Sequence, residues 1–107
     1  MPIVANGDLF SLKDCERICE QTSVKGVMAA RGLLANPAMF AGYEVTPVEC
    51  IRDWVEICMR NGTSFDYFHK VLGQMLPKVV TKAEMRYFNS LISTSSVVDY
   101  LNENIFL

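Results

Sequence analysis

The stretch GVMAARGLLANPAMF, residues 26–40, decides the fold class of this 107-residue chain. It opens with a short apolar run and continues through Ala30-Arg31-Gly32 to a turn at Asn36-Pro37. PIVANGD, residues 2–8, has the same outline, an apolar run followed by a polar turn with a glycine. Uninterrupted apolar runs are typical of parallel strands that are buried on both faces. The two stretches therefore predict two βα units with parallel strands, as in α/β folds.

The segment between the two runs, SLKDCERICEQT at residues 11–22, predicts a helix. Ser11 is a suitable N-cap, and Asp14 three residues later makes an acidic variant of the capping box. The apolar stripe of this helix is Leu12, Cys15, Ile18 and Cys19. One strand followed by one helix is the expected first unit.

From Thr46 onward the pattern predicts helices only. Thr46-Pro47-Val48-Glu49 has an N-cap residue, a proline at the first helical position and a glutamate at the third, and Asn61-Gly62 ends this helix. Thr81-Lys82-Ala83-Glu84 is a second capping box. Apolar residues at helical spacing mark the four helices: Ile51, Trp54, Val55, Cys58; Phe65, Phe68, Leu72, Met75, Leu76; Met85, Phe88, Leu91, Ile92; and Val97, Val98, Leu101. We predict an α/β part at residues 1–45 and an all-α helical bundle at residues 46–107, mostly helical overall.

Two parallel strands cannot bury both faces or satisfy their outer edges. The first predicted strand already begins at residue 2. The strands therefore either pair with another chain or belong to the carboxyl-terminal part of a larger α/β protein, such as a (β/α)₈ barrel of about 250 residues, and we favour the second interpretation.

Composition restricts the class of protein. The net charge is −2, so a broad surface for binding polyanions is not expected. Neither a run of about 18 apolar residues nor a signal-peptide layout occurs, which predicts a soluble protein of the cytoplasm or nucleus. Cys15 and Cys19 would supply half of a metal site, but His69, the single histidine, is far away in sequence. Since zinc normally takes three or four protein ligands, we expect no metal site and four reduced cysteines.

The turns that follow the two strands predict a phosphate site. In α/β barrels, phosphates bind at the carboxyl ends of the strands and at the amino end of a following short helix. Gly7 and Gly32 allow close approach of the backbone, and the Arg31 guanidinium can donate two hydrogen bonds to phosphate oxygens. Asp8 would repel phosphate, and its better role is to cap the loop. An ordinary turn with a surface arginine remains the alternative.

PIVANGD and VKGVMAARGLLANPAMF resemble the end of the catalytic barrel of the tRNA-dihydrouridine synthases. TPVECIRDWVEICMRNGT, FHKVLGQML and FNSLISTSSVVDYL are similar to the helical domain of the eukaryotic branch that modifies adjacent D-loop uridines. The resemblance covers essentially the whole chain and implies the last two βα units of an FMN-binding TIM-type barrel, then a helical domain that helps to hold tRNA. It places these residues at the FMN phosphate: Asn6, Gly7, Asp8, Ala30 and Arg31. Ala30 stands where many relatives have glycine.

The resemblance also implies the reaction. In that family NAD(P)H reduces the flavin, the flavin exchanges a hydride with the uracil ring, and a cysteine on an earlier barrel loop donates a proton. We expect that cysteine upstream of residue 1, so no catalytic residue is predicted here and the isolated chain is predicted to be inactive. One alternative is a truncated, non-catalytic helical interaction module with weak or no tRNA binding. Another is a different phosphate-binding flavin barrel, which the helical tail disfavours.

Positive charge is concentrated in the helical part. Four cations lie between His69 and Arg86, against the single carboxylate of Glu84: Lys70, Lys78, Lys82 and Arg86. They are the candidate contacts for tRNA phosphates, and a solvated helix surface is an equally good interpretation. Trp54, Phe68 and Phe88 fall on apolar stripes and are predicted core residues rather than platforms for bases.

Overall fold

A computed structural model describes residues 2–7 and 9–106 of the chain. Most of these residues are helical, as predicted, and the chain divides into two units, Met1–Val45 and Thr46–Leu107. The first unit contains strands and helices, and the second contains helices only.

The first unit is built around two parallel strands. Its elements are β1 (Val4–Asn6), α1 (Leu12–Thr22), β2 (Gly26–Met28), α2 (Arg31–Ala35) and a 3-10 helix (Met39–Ala41). The strands pair in the register Val4 with Gly26, Ala5 with Val27 and Asn6 with Met28. The predicted parallel pairing is confirmed, with α1 as the crossover that parallel strands require.

Local side-chain hydrogen bonds define the start of α1. Ser11 Oγ accepts from the Asp14 backbone N–H at 3.2 Å, as the N-cap prediction requires. The Asp14 carboxylate accepts from the backbone N–H of Phe10, at 3.1 Å between Oδ2 and N. The capping-box variant therefore closes on Phe10, one residue before the N-cap. The helix ends at Ser23, which has a left-handed conformation with φ 55°.

One face of the sheet is covered by α1. Leu9, Cys15 and Met39 are buried together, with Val27 of β2 packed against them. Side chains alternate along a strand, so Val4 and Met28 point to the opposite face, where they are 59% and 55% exposed. Among the described residues the helical cover lies on the Val27 side only, in agreement with the expectation that two parallel strands cannot bury both faces by themselves.

The second unit is a helical bundle. Its elements are α3 (Val48–Asn61), α4 (Phe65–Met75), a 3-10 helix (Leu76–Lys78), α5 (Lys82–Ser90) and α6 (Thr94–Asn104). The buried core residues are Ile51, Cys58, Phe68, Leu72, Met75, Leu76, Phe88, Val97, Tyr100 and Leu101. Every α-helix of this unit contributes to this core.

The helix ends follow local chemistry, with one correction. Thr81 and Glu84 form the predicted capping box, in which each backbone N–H donates to the other side chain at 3.2 Å. Gly62 ends α3 with φ 64°. The predicted N-cap at Thr46 is wrong by one residue: Pro47 has an extended backbone (φ −71°, ψ 153°) and is itself the N-cap of α3.

Ile92 also departs from its predicted place. Helical spacing assigns it to the apolar stripe of α5, yet its side chain is 87% exposed. The reason is that α5 ends at Ser90, and Leu91 is extended (φ −72°, ψ 138°). Beyond that point the spacing no longer selects the face that packs against the core.

Candidate functional site

The carboxyl ends of β1 and β2 border a cavity of about 250 Å³. Its lining residues are Asn6, Gly7, Leu9, Phe10, Ala30, Arg31 and Gly32. The turns after two neighbouring parallel strands meet at one edge of the sheet, which explains why residues so far apart in sequence line one cavity. Four of the five predicted phosphate-site residues are brought together here, namely Asn6, Gly7, Ala30 and Arg31. Asp8 lies outside the described residues.

Gly7 permits the turn that leaves β1. Its φ is 133°, in a region that side-chain-bearing residues rarely adopt. Apart from its two chain neighbours, no atom of the described residues lies within 4 Å of the position that a Cβ would occupy. Glycine is therefore required for the backbone conformation, and the space beside it is open.

Gly32 permits close contact between the two walls of the cavity, one formed by Leu9 and Phe10 and the other by residues 30–32. It is buried, and a Cβ at this position would collide with the carbonyl oxygen of Leu9 and lie 3.0 Å from Sδ of Met39. The turn after β2 therefore packs directly on the backbone of the loop after β1. This close approach fixes the distance between the Leu9–Phe10 wall and the Ala30–Gly32 wall.

Arg31 supplies the positive charge of the cavity. It is the first residue of α2 and its side chain is exposed. A guanidinium can donate two parallel hydrogen bonds to an anion. The expected contribution from the helix dipole is small, since α2 has five residues and few aligned peptide groups. The guanidinium is thus the main attraction for an anion.

Leu9 and Phe10 line the cavity and were missed by the motif analysis. Leu9 is 3% exposed and belongs to the core beside Cys15 and Met39. Phe10 is 39% exposed at the mouth. The sequence feature that could have identified them is their position directly after Asn6-Gly7-Asp8. The loop after one parallel strand lies next to the loop after the neighbouring strand.

None of the four cysteines is a lining residue of this cavity, and three of them favour the neutral thiol. Burial raises the pKa of Cys15, Cys50 and Cys58, with nearby carboxylates adding to the effect for Cys15 and Cys50. A raised pKa weakens a thiol as an acid and as a nucleophile at neutral pH. Within residues 2–7 and 9–106, no three His, Cys, Asp or Glu side chains are grouped so as to hold a metal ion.

The predicted tRNA contacts lie on successive elements of the helical unit. Lys70 belongs to α4, Lys78 to the following 3-10 helix, and Lys82 and Arg86 to α5, and all four are exposed. No carboxylate of the described residues lies within 4.0 Å of these four cationic groups. Lys82 and Arg86 are one helical turn apart and share a face of α5. Glu84, the carboxylate in this segment, is used in the capping box.

The aromatic residues of the stripes are structural. Phe68 and Phe88 are fully buried, and the Trp54 indole N–H donates to the Phe68 carbonyl oxygen at 3.2 Å. His69 stacks between Phe65 and Phe88, with ring centroids 5.0 and 4.4 Å away. Its Nε2 lies 2.9 Å from the Phe88 carbonyl oxygen. These contacts join α3, α4 and α5.

Comparison with known proteins gives the family. Residues 1–103 match the family model described as dihydrouridine synthase. The chain belongs to the dihydrouridine synthase family. It is 56% identical over 104 residues to a mouse protein named tRNA-dihydrouridine(20a/20b) synthase [NAD(P)+]-like, and 52% identical to the human protein of that name. The match covers 97% of this chain and 32% and 33% of those relatives. A Saccharomyces cerevisiae tRNA-dihydrouridine(20a/20b) synthase [NAD(P)+] is 38% identical over 96% of this chain and 29% of its own length.

The predicted resemblance to dihydrouridine synthases is thus confirmed, and the chain spans about a third of the length of the curated relatives it matches. In the part of this family member that the structure describes, no helix has the length and apolar character needed to cross a membrane.

Proposed function

We propose that this chain forms the FMN-phosphate end and the helical domain of an enzyme that reduces D-loop uridine in tRNA to dihydrouridine with NAD(P)H. The cavity between the Asn6-Gly7 turn and the Ala30-Gly32 turn carries the proposal, because it occurs in a dihydrouridine synthase at the strand ends where α/β barrels bind phosphate. We infer tRNA as the substrate and NAD(P)H as the reductant from the names of the relatives, tRNA-dihydrouridine(20a/20b) synthase [NAD(P)+].

The residues present fit a phosphate group. The space beside Gly7 is open, and the close contact at Gly32 brings backbone to the cavity without side-chain obstruction. Arg31 would bind phosphate oxygens through its guanidinium, and Asn6 and Ala30 would border the group. Bound FMN would supply the hydride chemistry. The role of this chain is to hold and orient the phosphate end, and no catalytic residue is assigned to it.

The exposed sheet face supports a place in a barrel. Val4 and Met28 are apolar and more than half exposed, on the face opposite α1. In a (β/α)₈ barrel one strand face is covered by helices and the other by the barrel interior and neighbouring strands. We propose that residues 1–45 are the last two βα units of such a barrel, and that residues 46–107 form the domain that contacts tRNA.

The test of the cavity measures the FMN retained by a complete barrel that contains this chain. Arg31→Ala should lower the FMN content after gel filtration, because the cavity loses its guanidinium. Arg60→Ala is the matched control, since Arg60 is exposed, belongs to the helical unit and pairs with Glu56 at 3.3 Å. Unchanged flavin content in Arg31→Ala would remove Arg31 from the site.

The test of the helical unit measures the salt dependence of tRNA binding. Removing Lys78, Lys82 and Arg86 together should reduce the slope of log K against log salt by about 2 to 3, since each neutralised phosphate contributes about 0.7 to 0.9. A control triple variant replaces Lys13, Lys25 and Arg60, which are exposed but outside the segment. Equal slopes for the two triple variants would assign the segment to ordinary solvated surface.

A second candidate function is the non-catalytic helical interaction module. The observation in its favour is the larger hydrophobic core of the helical unit, which among the described residues has ten buried members against three for the core of the first unit. We predict that the isolated chain forms no dihydrouridine when it is incubated with tRNA, FMN and NADPH. Product formation by this chain alone would contradict that prediction. Binding of tRNA without turnover would favour the module.

A further inference from the structure

Asp14 joins three neighbouring residues at the start of α1. Its backbone N–H donates to Ser11 Oγ at 3.2 Å, and its Oδ2 accepts from the Phe10 backbone N–H at 3.1 Å. Its Oδ1 lies 3.4 Å from a guanidinium nitrogen of Arg17. The Asp14 side chain is 26% exposed, so its carboxylate oxygens are partly shielded from solvent. Asp14 does not line the cavity itself.

The contact with Phe10 sets the position of one cavity wall. Leu9 and Phe10 form that wall, and the Leu9 carbonyl lies against Gly32 of the facing wall. Leu9 is held by burial in the core, whereas Phe10 is 39% exposed and is held through its backbone by Asp14. Loss of this hydrogen bond would release the wall at its exposed end.

The charge of Asp14 opposes an anion in the cavity, and Arg17 offsets it. A carboxylate near a phosphate costs electrostatic energy, which a guanidinium at 3.4 Å reduces. The useful property of Asp14 is therefore its acceptor oxygen rather than its charge. An asparagine at this position would keep an acceptor for the Phe10 N–H and lose the charge.

We propose that Asp14 is a positioning residue for the anion cavity, acting through the Phe10 backbone. The inference rests on the proposed function, since it assumes that the cavity holds the phosphate end of the cofactor. Asp14 holds the exposed end of the Leu9–Phe10 wall in place, whereas the contact of Gly32 with Leu9 fixes its buried end. The groups that contact the anion remain those of the Gly7 and Arg31 turns.

The experiment uses the full chain, with inorganic phosphate as the probe. Amide chemical shifts of Gly7 and Gly32 are followed during a phosphate titration of four proteins: wild type, Asp14→Ala, Asp14→Asn and Ser11→Ala. We expect phosphate to bind Asp14→Ala about fivefold more weakly than wild type, the effect of losing one ordinary hydrogen bond that orders the loop. Asp14→Asn should bind at least as well as wild type, because it keeps the acceptor and removes a negative charge.

Ser11→Ala is the control for helix stability. It removes the N-cap side chain of the same helix and leaves the Phe10 contact in place. We expect its phosphate affinity to stay within about twofold of wild type, since a cap stabilises the helix without contacting the wall. The Phe10 amide proton should exchange faster with solvent in Asp14→Ala and not in Ser11→Ala.

The other possible results of the titration would contradict either the positioning role of Asp14 or the phosphate site itself. Equal weakening in Asp14→Ala and Ser11→Ala would show that only helix stability matters, and weakening in Asp14→Asn would show that the charge matters; either overturns the positioning role. Wild-type affinity in Asp14→Ala overturns it as well and leaves the cavity as a phosphate site. Unchanged Gly7 and Gly32 shifts in wild type at high phosphate would overturn the phosphate site and this inference together.

Discussion

Removing the hydroxyl group of Tyr100 should stabilise the helical unit. Tyr100 is 4% exposed in the core, and its hydroxyl oxygen is buried with no hydrogen-bond partner among the described residues. Its ring packs against those of Tyr87 and Phe88, with centroids 5.7 and 6.2 Å away. Tyr100→Phe keeps these ring contacts and removes only the unpartnered group.

The size of the effect follows from two opposing contributions. Burying a hydroxyl without a partner costs about 1–3 kcal/mol. The gap left by one oxygen, about 10 Å³, costs only about 0.2 kcal/mol at 24 cal/mol per Å³. We therefore expect Tyr100→Phe to raise the free energy of unfolding of the helical unit by about 1 kcal/mol. For a unit of this size that corresponds to a rise in Tm of about 4–8 °C.

Urea unfolding followed by tryptophan fluorescence measures this change. Trp54 is the single tryptophan and packs in the helical unit, so its emission reports on that unit rather than on the strands. Tyr87→Phe is the matched control, because it makes the same chemical change on a ring that is 57% exposed and should alter stability by less than about 0.5 kcal/mol. A Tyr100→Phe protein that is less stable than wild type would refute the reasoning and would show that the hydroxyl is satisfied in solution.

Three further predictions concern stability. Gly32→Ala should destabilise the first unit by about 2 kcal/mol, because the collision is with backbone; amide exchange in α1 measures this, and Gly73→Ala, whose Cβ would meet nothing closer than 3.9 Å, should not destabilise the chain. Thr81→Ala should cost about 1 kcal/mol by urea unfolding, whereas Thr81→Ser keeps the cap, and equal losses in the two would argue against the capping box. Burial raises the pKa of the Cys58 thiol above its unfolded value of 9.0, so the unfolded thiol ionises first and the chain loses stability as the pH rises above about 9. The free energy of unfolding of Cys58→Ser should therefore fall less than that of wild type between pH 8 and about 10. An equal fall in the two proteins would exclude Cys58 as the cause.

Local chemistry made the helices and the strand pair predictable. The Thr81–Glu84 capping box and the Gly62 helix end depend on residues within a few positions of each other, and both were predicted from sequence. The parallel pairing of β1 with β2 was predicted because two apolar runs separated by one helix have few other arrangements. The errors at Thr46 and Ile92 have one cause, since helical spacing does not reveal which residue begins or ends a helix.

The candidate site was predictable only in part. Its glycines and Arg31 follow strands and could be recognised, whereas Leu9 and Phe10 line the cavity because of where a loop meets a distant turn. The buried Asn36 is a similar case: its side chain accepts from the Ala38 N–H at 3.0 Å and donates to the Tyr43 carbonyl oxygen at 2.6 Å. Sequence indicated a turn at Asn36-Pro37, and only the structure shows which distant backbone group the amide binds.

The two-stranded sheet has a practical consequence for work with the chain in solution. Among the described residues β1 and β2 pair only with each other, so the outer edge of each strand presents backbone donors and acceptors beside the apolar side chains of Val4 and Met28. Such edges serve as templates for intermolecular strand pairing. We therefore expect isolated chains to associate through the outer edges of β1 and β2 at high concentration, and Met28→Lys should raise the concentration at which the chain stays monomeric.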